Sequence, residues 1–535
     1  MTDKKTYPSG IQRDGVKSPD NNIASMLDGV ASRVGGRQAL VHKNGSVTFD
    51  ELLDRVKQCA NLLTRHGLEP GERVIVMIPM SVDLYVALLA IIRCGAVAVF
   101  VDPWIPIKQI ADFAAFAEPS GFIGIPKSHF LRLLNRDLAS LKISVTTGAA
   151  LLGVPARHSL REISRHTTEH DAEPVAKDAP ALITFTSGSS GIPKGANRTH
   201  AFLTAQYEAL CGELRFSNDD IDMPMFPVFA LRNLAAGITS VIPDMDFKNV
   251  AEIEPHTINR QLEDNEVTVV TASPPFIDRL AALETPYQPR RIITGGAPVT
   301  GKQLRKWKKA FPNSKIEIVY GSTEAEPVAL VSANERLSLE NELGYCCGKP
   351  TTLVKTRIVK ITKSRIAPKD LSRITLSQGE IGELLVAGKH VCRSYFNNEE
   401  AVRDNKVLES DGACWHRMGD TGYFDDAGRF FLTGRVHSTI FRDEDVLHAQ
   451  LVEDEYAKSY PDAERVAALE MDGKLVVALQ MPESAPEGSP PSPVPPPSVK
   501  ADKIIATRRG FPLDPRHNSK IDYDALRRHI QRETL

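Results

Sequence analysis

Ala181-Leu-Ile-Thr-Phe-Thr-Ser-Gly-Ser-Ser-Gly-Ile-Pro-Lys-Gly195 sets the frame in which the rest of the chain is read. Ala181 to Phe185 is apolar enough for a buried strand, Thr186 to Gly195 is dominated by Thr, Ser, Gly and Lys, and a helix is expected to start near Thr199. Small hydroxyls and glycines let backbone N–H and side-chain O–H groups close around phosphate oxygens, while Lys194 adds a positive charge. The stretch therefore has the make-up of a triphosphate cradle. It is not the common P-loop, which needs Gly-Lys-Ser/Thr, because Pro193 precedes Lys194 and Gly195 follows it. Taken alone, it also fits a Ser/Gly-rich surface loop with no ligand.

Alternating units lie to either side. Before it, helices are expected at Ile23 to Val34, Asp50 to His66 and Ser81 to Arg93, strands at Arg73 to Ile78 and Ala96 to Val101, and a hairpin around Asn44-Gly45. After it, strands recur at Val267 to Thr271, Arg291 to Thr294 and Lys315 to Val319. This rhythm indicates a mostly parallel sheet with helices on both faces. From Gly382 shorter strands with turn signals suggest a β-rich subdomain, and the last hundred or so residues read as a small α+β unit. The fold class expected is α/β: two α/β lobes plus a β-rich subdomain, then a small mobile α+β domain. Its divisions are a flexible leader over 1–22, a large part over 23–433, a hinge at 434–437 and a C-terminal lid over 438–535. Residues 481–500 hold eight prolines and should form an extended surface loop.

Composition narrows the function. The chain has 535 residues, with 65 Lys+Arg against 67 Asp+Glu, so nucleic acid is not an expected partner. Seven cysteines without Cys-x-x-Cys spacing make a disulfide framework or zinc site improbable and fit a reducing compartment. The polar N-terminus shows no signal peptide or membrane anchor, and Arg93 and Gly95 interrupt the apolar run Leu84 to Val101, so no membrane span and a cytoplasmic location are expected.

The motifs downstream, in their order, resemble those of the adenylate-forming superfamily of acyl-CoA synthetases, peptide-synthetase adenylation domains and luciferases, from about Ile23 to the end. Thr186 to Gly195 is similar to the family's phosphate loop, implying contacts from Thr186, Ser187, Gly188, Ser189, Ser190, Gly191 and Lys194. Tyr320-Gly-Ser-Thr-Glu-Ala-Glu-Pro327 resembles the adenine and magnesium motif, implying Tyr320 near adenine, Thr323 near phosphate and Glu324 at Mg²⁺. Gly295-Gly296-Ala297 resembles the turn beside adenine and acyl group. Asp420 takes the place of the aspartate on the ribose hydroxyls, Arg435 that of the arginine on ribose and phosphates, and Lys520 that of the C-terminal catalytic lysine. The chemistry implied is attack of a carboxylate on the α-phosphorus of ATP, with Mg²⁺ as cofactor and charge neutralisation as the main catalytic task.

The sequence departs from the CoA ligases of that superfamily. The hinge reads Gly434-Arg-Val-His-Ser438, placing His437 at the pivot, Ile440-Phe-Arg-Asp-Glu444 replaces the Lys- and Gly-bearing segment beside the thiol arm, and Ala230 replaces a common histidine. With Phe226-Pro-Val-Phe-Ala-Leu231, Trp415-His-Arg-Met-Gly-Asp420 and Asp514-Pro-Arg-His-Asn-Ser-Lys520, these departures resemble the β-lactone synthetases of long-chain olefin biosynthesis. The resemblance implies adenylation of a 3-hydroxy fatty acid, then closure by its own hydroxyl with loss of AMP. The alternatives are a fatty acid–CoA ligase, with CoA as second substrate, and a non-catalytic nucleotide or acyl binder. Phe226, Phe229 and Leu231 are candidate acyl-pocket residues, with a core role equally compatible. Arg232 could meet a polar substrate group or a carboxylate of the fold. His200 is a candidate near the anhydride, with a structural histidine at a helix start as the alternative.

Overall fold

The structure, a computed structural model, describes residues 17–101, 116–148, 156–186, 194–247, 249, 252–442, 445–484, 496–513 and 521–534. Ser187, Gly188, Ser189, Ser190, Gly191 and Lys520, with most of the proline-rich stretch, lie outside the described residues.

Strands Arg73–Met77, Val97–Phe100, Gly121–Gly124, Ile143–Thr146, His158–Ser159 and Pro180–Thr186 pair in parallel to form the first lobe. Helices Phe49–Arg65 and Val82–Arg93 pack beside one another; the former starts on a Thr48/Glu51 capping box, and Gly95, at φ +68°, ends the turn after the latter. One element was not legible. Lys194–Thr199 is a strand, antiparallel to Pro180–Thr186 with Thr186 opposite Lys194, so the phosphate-type loop joins two paired strands before the helix His200–Leu214 begins on its Thr199 cap.

The second lobe and the β-rich subdomain are one sheet of fourteen strands. Its parallel half includes Ile221–Pro224, Val269–Ala272, Arg291–Gly295 and Lys315–Ser322, and the early strand Gln38–His42 pairs in parallel beyond them. The hairpin Lys315–Ser322/Ala325–Ser332 turns the sheet antiparallel, and it continues through Tyr345–Pro350, Phe430–Arg435 and Cys414–Phe424. The β-rich subdomain is thus joined edge to edge to the second lobe. Beyond the short helical turn Val436–Ser438, strands Arg465–Met471, Lys474–Gln480 and Lys503–Thr507 with helices Ala449–Ser459 and Tyr523–Thr534 make the expected α+β unit.

The leader is ordered where it is described. Asn22 is fully buried, and its side-chain amide donates to Ile92 O and Glu173 O at 2.9 and 3.1 Å, which pins the chain before the first helix. No helix among the described residues is long and apolar enough to cross a membrane.

Candidate active site

Parallel α/β sheets open a crevice at the carboxyl ends of their strands. Here Phe226, Ala272, Gly295 and Tyr320, at or just beyond such ends, line one large cleft that the C-terminal unit roofs with His448, Gln450 and Tyr523. Gly295 lies so close to its neighbour strand that a Cβ would stand 2.5 Å from Val319 O, and Gly296 turns away at φ +81°. Only glycine satisfies both, which leaves a flat shelf with Ala297 beside Tyr320.

Asp420 and Arg435 are cross-strand partners, and Tyr320 faces them from the hairpin. The Tyr320 hydroxyl donates to Asp420 Oδ2 and Arg435 Nη1 to Oδ1, each at 2.6 Å. Burial and the adjacent Asp420 keep the tyrosine protonated, and Asp420 holds the guanidinium charged. The three residues that the resemblance places around a nucleoside therefore meet in one hydrogen-bonded group. A carboxylate oxygen has further lone pairs, so Asp420 can still accept from a diol.

Thr323 and Glu324 form the hairpin tip. Arg198 Nη2 donates to Thr323 O at 3.0 Å and Cys392 N to Glu324 O at 2.7 Å. The segment around Tyr395 is clamped on both sides, because Phe396 N donates to Gly195 O and Val391 bridges Ala325. Tyr395 thereby donates its hydroxyl to Glu324 Oε1 at 3.0 Å. Burial alone would raise the Glu324 carboxyl, but the positive fields of His416 and Lys406, with the Tyr395 hydrogen bond, bring it to about 2. Burial also pushes His416 down to about 3, so at neutral pH the imidazole is uncharged, and burial lowers the Lys406 ammonium as well. Lys194 lines the cleft close enough for its charge to act on both. Tyr395, Lys406, His416 and Arg198 were not singled out as site residues from the sequence. Only His416, beside Arg417-Met-Gly-Asp420, carried a local signal.

Among the described residues no group of three or more His, Cys, Asp or Glu side chains could hold a metal ion. A divalent ion at Glu324 would have to complete its shell with water and phosphate oxygens. That donor set fits Mg²⁺ arriving with a triphosphate and does not fit a dedicated protein cage.

The apolar wall carries Phe226, Phe229 and Leu231 together with Leu27, Leu88 and Ile92. Pro227 opens their helix and Gly237, at φ +77°, closes it. Arg232 also reaches the cleft, but its guanidinium lies 4.0 Å over the Phe216 ring and donates to Asn233 Oδ1, whose amide donates to Asp222 at 2.7 Å. Of the two readings of Arg232, the geometry supports the link to a carboxylate of the fold; burial pushes that Asp222 up to about 6. His200 does not line the cleft. It is fully buried, and its Nδ1 accepts from Ile23 N at 3.1 Å, which packs the leader on the helix start. That place corrects its candidacy near the anhydride. His437 lines the cleft in the turn after Arg435, with Thr439 Oγ1 and Ser438 Oγ donating to Arg435 O.

The sequence model of the AMP-binding enzyme family matches residues 27–396. The olefin beta-lactone synthetase of Stenotrophomonas maltophilia (strain K279a) is 31% identical over 94% of this chain and 97% of its own length. That of Xanthomonas campestris pv. campestris is 32% identical over 94% and 96%. Among solved structures, the amide bond synthetase McbA from Marinactinospora thermotolerans superposes with a TM-score of 0.77 at 20% identity, covering 95% of this chain and 99% of that one.

Proposed function

The chain belongs to the AMP-binding enzyme family and is an acyl-adenylate-forming ligase, and from that premise we propose that it activates a 3-hydroxy fatty acid with ATP and closes the product to a β-lactone. The observation that carries the reading is the continuity of the cleft. It runs from the Tyr320–Asp420–Arg435 group past the Gly295–Ala297 shelf to the Phe226–Leu231 wall, so a nucleotide and an apolar acid meet at the shelf. The whole-length likeness to two olefin β-lactone synthetases supports the second step.

In this reading Asp420 accepts the ribose hydroxyls and Tyr320 packs beside the adenine, its ring already held 5.5 Å from Phe430. Arg435 leans from Asp420 toward the α-phosphate, and Lys194 with Thr186 to Gly191 takes the β- and γ-phosphates. Magnesium, when bound with the triphosphate, offsets charge on the leaving pyrophosphate. Glu324 must remain ionised for that, and its surroundings, His416 and Lys406 with the Tyr395 hydroxyl, favour that form. The acid's carboxylate oxygen bonds to the α-phosphorus as the bridging bond to pyrophosphate breaks, with Lys520 at the bridging oxygen. The 3-hydroxyl oxygen then bonds to the acyl carbon, the bond from that carbon to the phosphate oxygen breaks, and AMP and a proton leave. Holding hydroxyl and carbonyl together on the shelf replaces a bimolecular encounter. His437 is the pivot about which the C-terminal unit moves between the two steps.

The test is incubation with ATP, Mg²⁺ and a 3-hydroxy fatty acid, with and without CoA, followed by mass spectrometry. A β-lactone formed without CoA is expected; a CoA-dependent thioester and no lactone overturns the reading. Lys520→Ala is expected to lower acid-dependent pyrophosphate release by roughly tenfold or more.

A further inference from the structure

One face of the helix His200–Leu214 forms part of the acyl side of the cleft. Leu203, Gln206, Tyr207 and Leu210 recur there at helical spacing and line it. Gln206 is 2% exposed, and the one bond its amide makes runs from Nε2 to Glu326 O, at 3.3 Å. A carbonyl oxygen can only accept, so this bond fixes which way the amide is turned: nitrogen toward the strand Ala325–Ser332, oxygen away from it. Among the described residues no donor reaches that oxygen, and it keeps contact with the cleft. Two other polar side chains at this end, Arg232 and Thr271, are spent inside the fold on Asn233 and Asp222. A buried amide oxygen without a donor is costly, and a ligand hydroxyl placed against it recovers that cost.

We propose that the Gln206 amide oxygen accepts a hydrogen bond from the 3-hydroxyl of the substrate acid, which makes Gln206 the residue that selects hydroxy acids over plain ones. The inference rests on the reading of this chain as acting on a 3-hydroxy fatty acid. Position supports it. Glu326 lies two residues beyond Glu324 of the hairpin tip, so Gln206 stands at the phosphate end of the acyl site, where the carboxyl group meets the nucleotide. The hydroxyl-bearing carbon is two bonds from the carboxyl carbon, and the rest of the acid runs along Phe226 and Phe229. The chemistry of the acid supports it as well. An ionised 3-hydroxy fatty acid carries a single hydrogen-bond donor, its hydroxyl, because a carboxylate only accepts. An acceptor at this point of the cleft therefore reads that one group. With the hydroxyl hydrogen held on Oε1, the lone pairs of the hydroxyl oxygen are left to face the acyl carbon. An amide oxygen is too weak a base to take the proton, so the part Gln206 plays is recognition and orientation. An unsubstituted acid leaves the amide oxygen without a partner and is disfavoured for that reason.

The experiment uses the full chain and three acids of one chain length: a 3-hydroxy fatty acid, its unsubstituted counterpart and its 3-fluoro counterpart. Each is assayed by acid-dependent ATP–pyrophosphate exchange, in wild type and in Gln206→Met, which keeps the side chain's length and removes the acceptor. Wild type should favour the hydroxy acid over the other two in kcat/KM by about tenfold, the scale of one hydrogen bond to a buried acceptor. Gln206→Met should lose most of that preference, with the loss falling on the hydroxy acid. An equal loss for the hydroxy and plain acids marks Gln206 as a structural tie to Glu326 and overturns the proposal. A raised KM for ATP with the preference intact places the amide on the nucleotide and overturns it too. If Gln206→Met does not fold, the wild-type comparison decides. Fluorine is close to a hydroxyl in size and donates nothing, so equal kcat/KM for the hydroxy and fluoro acids overturns the proposal. A wild type that activates no 3-hydroxy acid of any chain length overturns instead the reading on which the proposal rests.

Discussion

Glu324 and Glu453 line the same cleft, and they are held in opposite states. Glu324 stands on the hairpin tip of the large part near about 2; Glu453, on the helix Ala449–Ser459 of the C-terminal unit, is pushed up to about 8. Burial raises both. What differs is the neighbours: Glu324 has Lys406 and, when charged, His416 beside it, whereas Glu453 has a tyrosine hydroxyl, a backbone N–H and the like charge of Asp454. Without a cation, burial protonates an acid, and a protonated acid can join two elements but cannot meet a metal. The large part therefore carries the charge for chemistry, while Glu453 is held protonated inside the C-terminal unit by Tyr523 and the Ala468 N–H. Tyr345, from the large part, donates to Asp454 Oδ1 of that unit at 2.6 Å, beneath the Arg336 guanidinium.

Breaking the charged side should have the largest effect. Glu324→Gln is expected to lower acid-dependent ATP–pyrophosphate exchange by about a hundredfold or more, the usual scale for losing one preorganised electrostatic group. The neutral side should show in stability against pH. The Glu453 pKa is higher folded than the ordinary 4.5, so its contribution is complete below about 4.5 and is lost as pH rises toward 8. Urea unfolding of wild type across this window should weaken by at most about 1.4 kcal/mol per pH unit, and Glu453→Gln should flatten that slope. Glu324 runs the other way: its contribution is present above about 4.5 and lost as pH falls toward 2. Tyr395→Phe removes one donor from Glu324 and should slow exchange about fivefold to tenfold without changing the product. Tyr345→Phe should have the smallest effect, costing about 1 kcal/mol of unfolding free energy in the same urea measurement. A Tyr395→Phe loss as large as that of Glu324→Gln would mean that the tyrosine, and not the surrounding cations, keeps the carboxylate ionised.

The parts that were legible share a local cause. Thr199 caps its helix through a bond to the residue three positions on, and Gly95 ends a turn that demands positive φ. The strand Lys194–Thr199 was not legible, because Lys-Gly-Ala-Asn-Arg-Thr has neither apolar alternation nor β-branched richness. It becomes a strand by pairing with Pro180–Thr186 and, at Ala196, with Tyr395. His200 misled for a related reason: a histidine beside a phosphate-type loop invites a chemical role, and only the packing of Ile23 against it shows where the ring is spent.

Motif order by itself determined that the chain is an adenylate-forming enzyme and which residues are candidates to meet a nucleotide, because phosphate loops, ribose acids and tight glycine shelves depend on short runs of residue types. Tertiary structure alone decided the charge state of those residues. Lys406 and Tyr395 act on Glu324 from more than seventy positions along the chain, and the state of a buried carboxylate depends on which cation stands beside it in space.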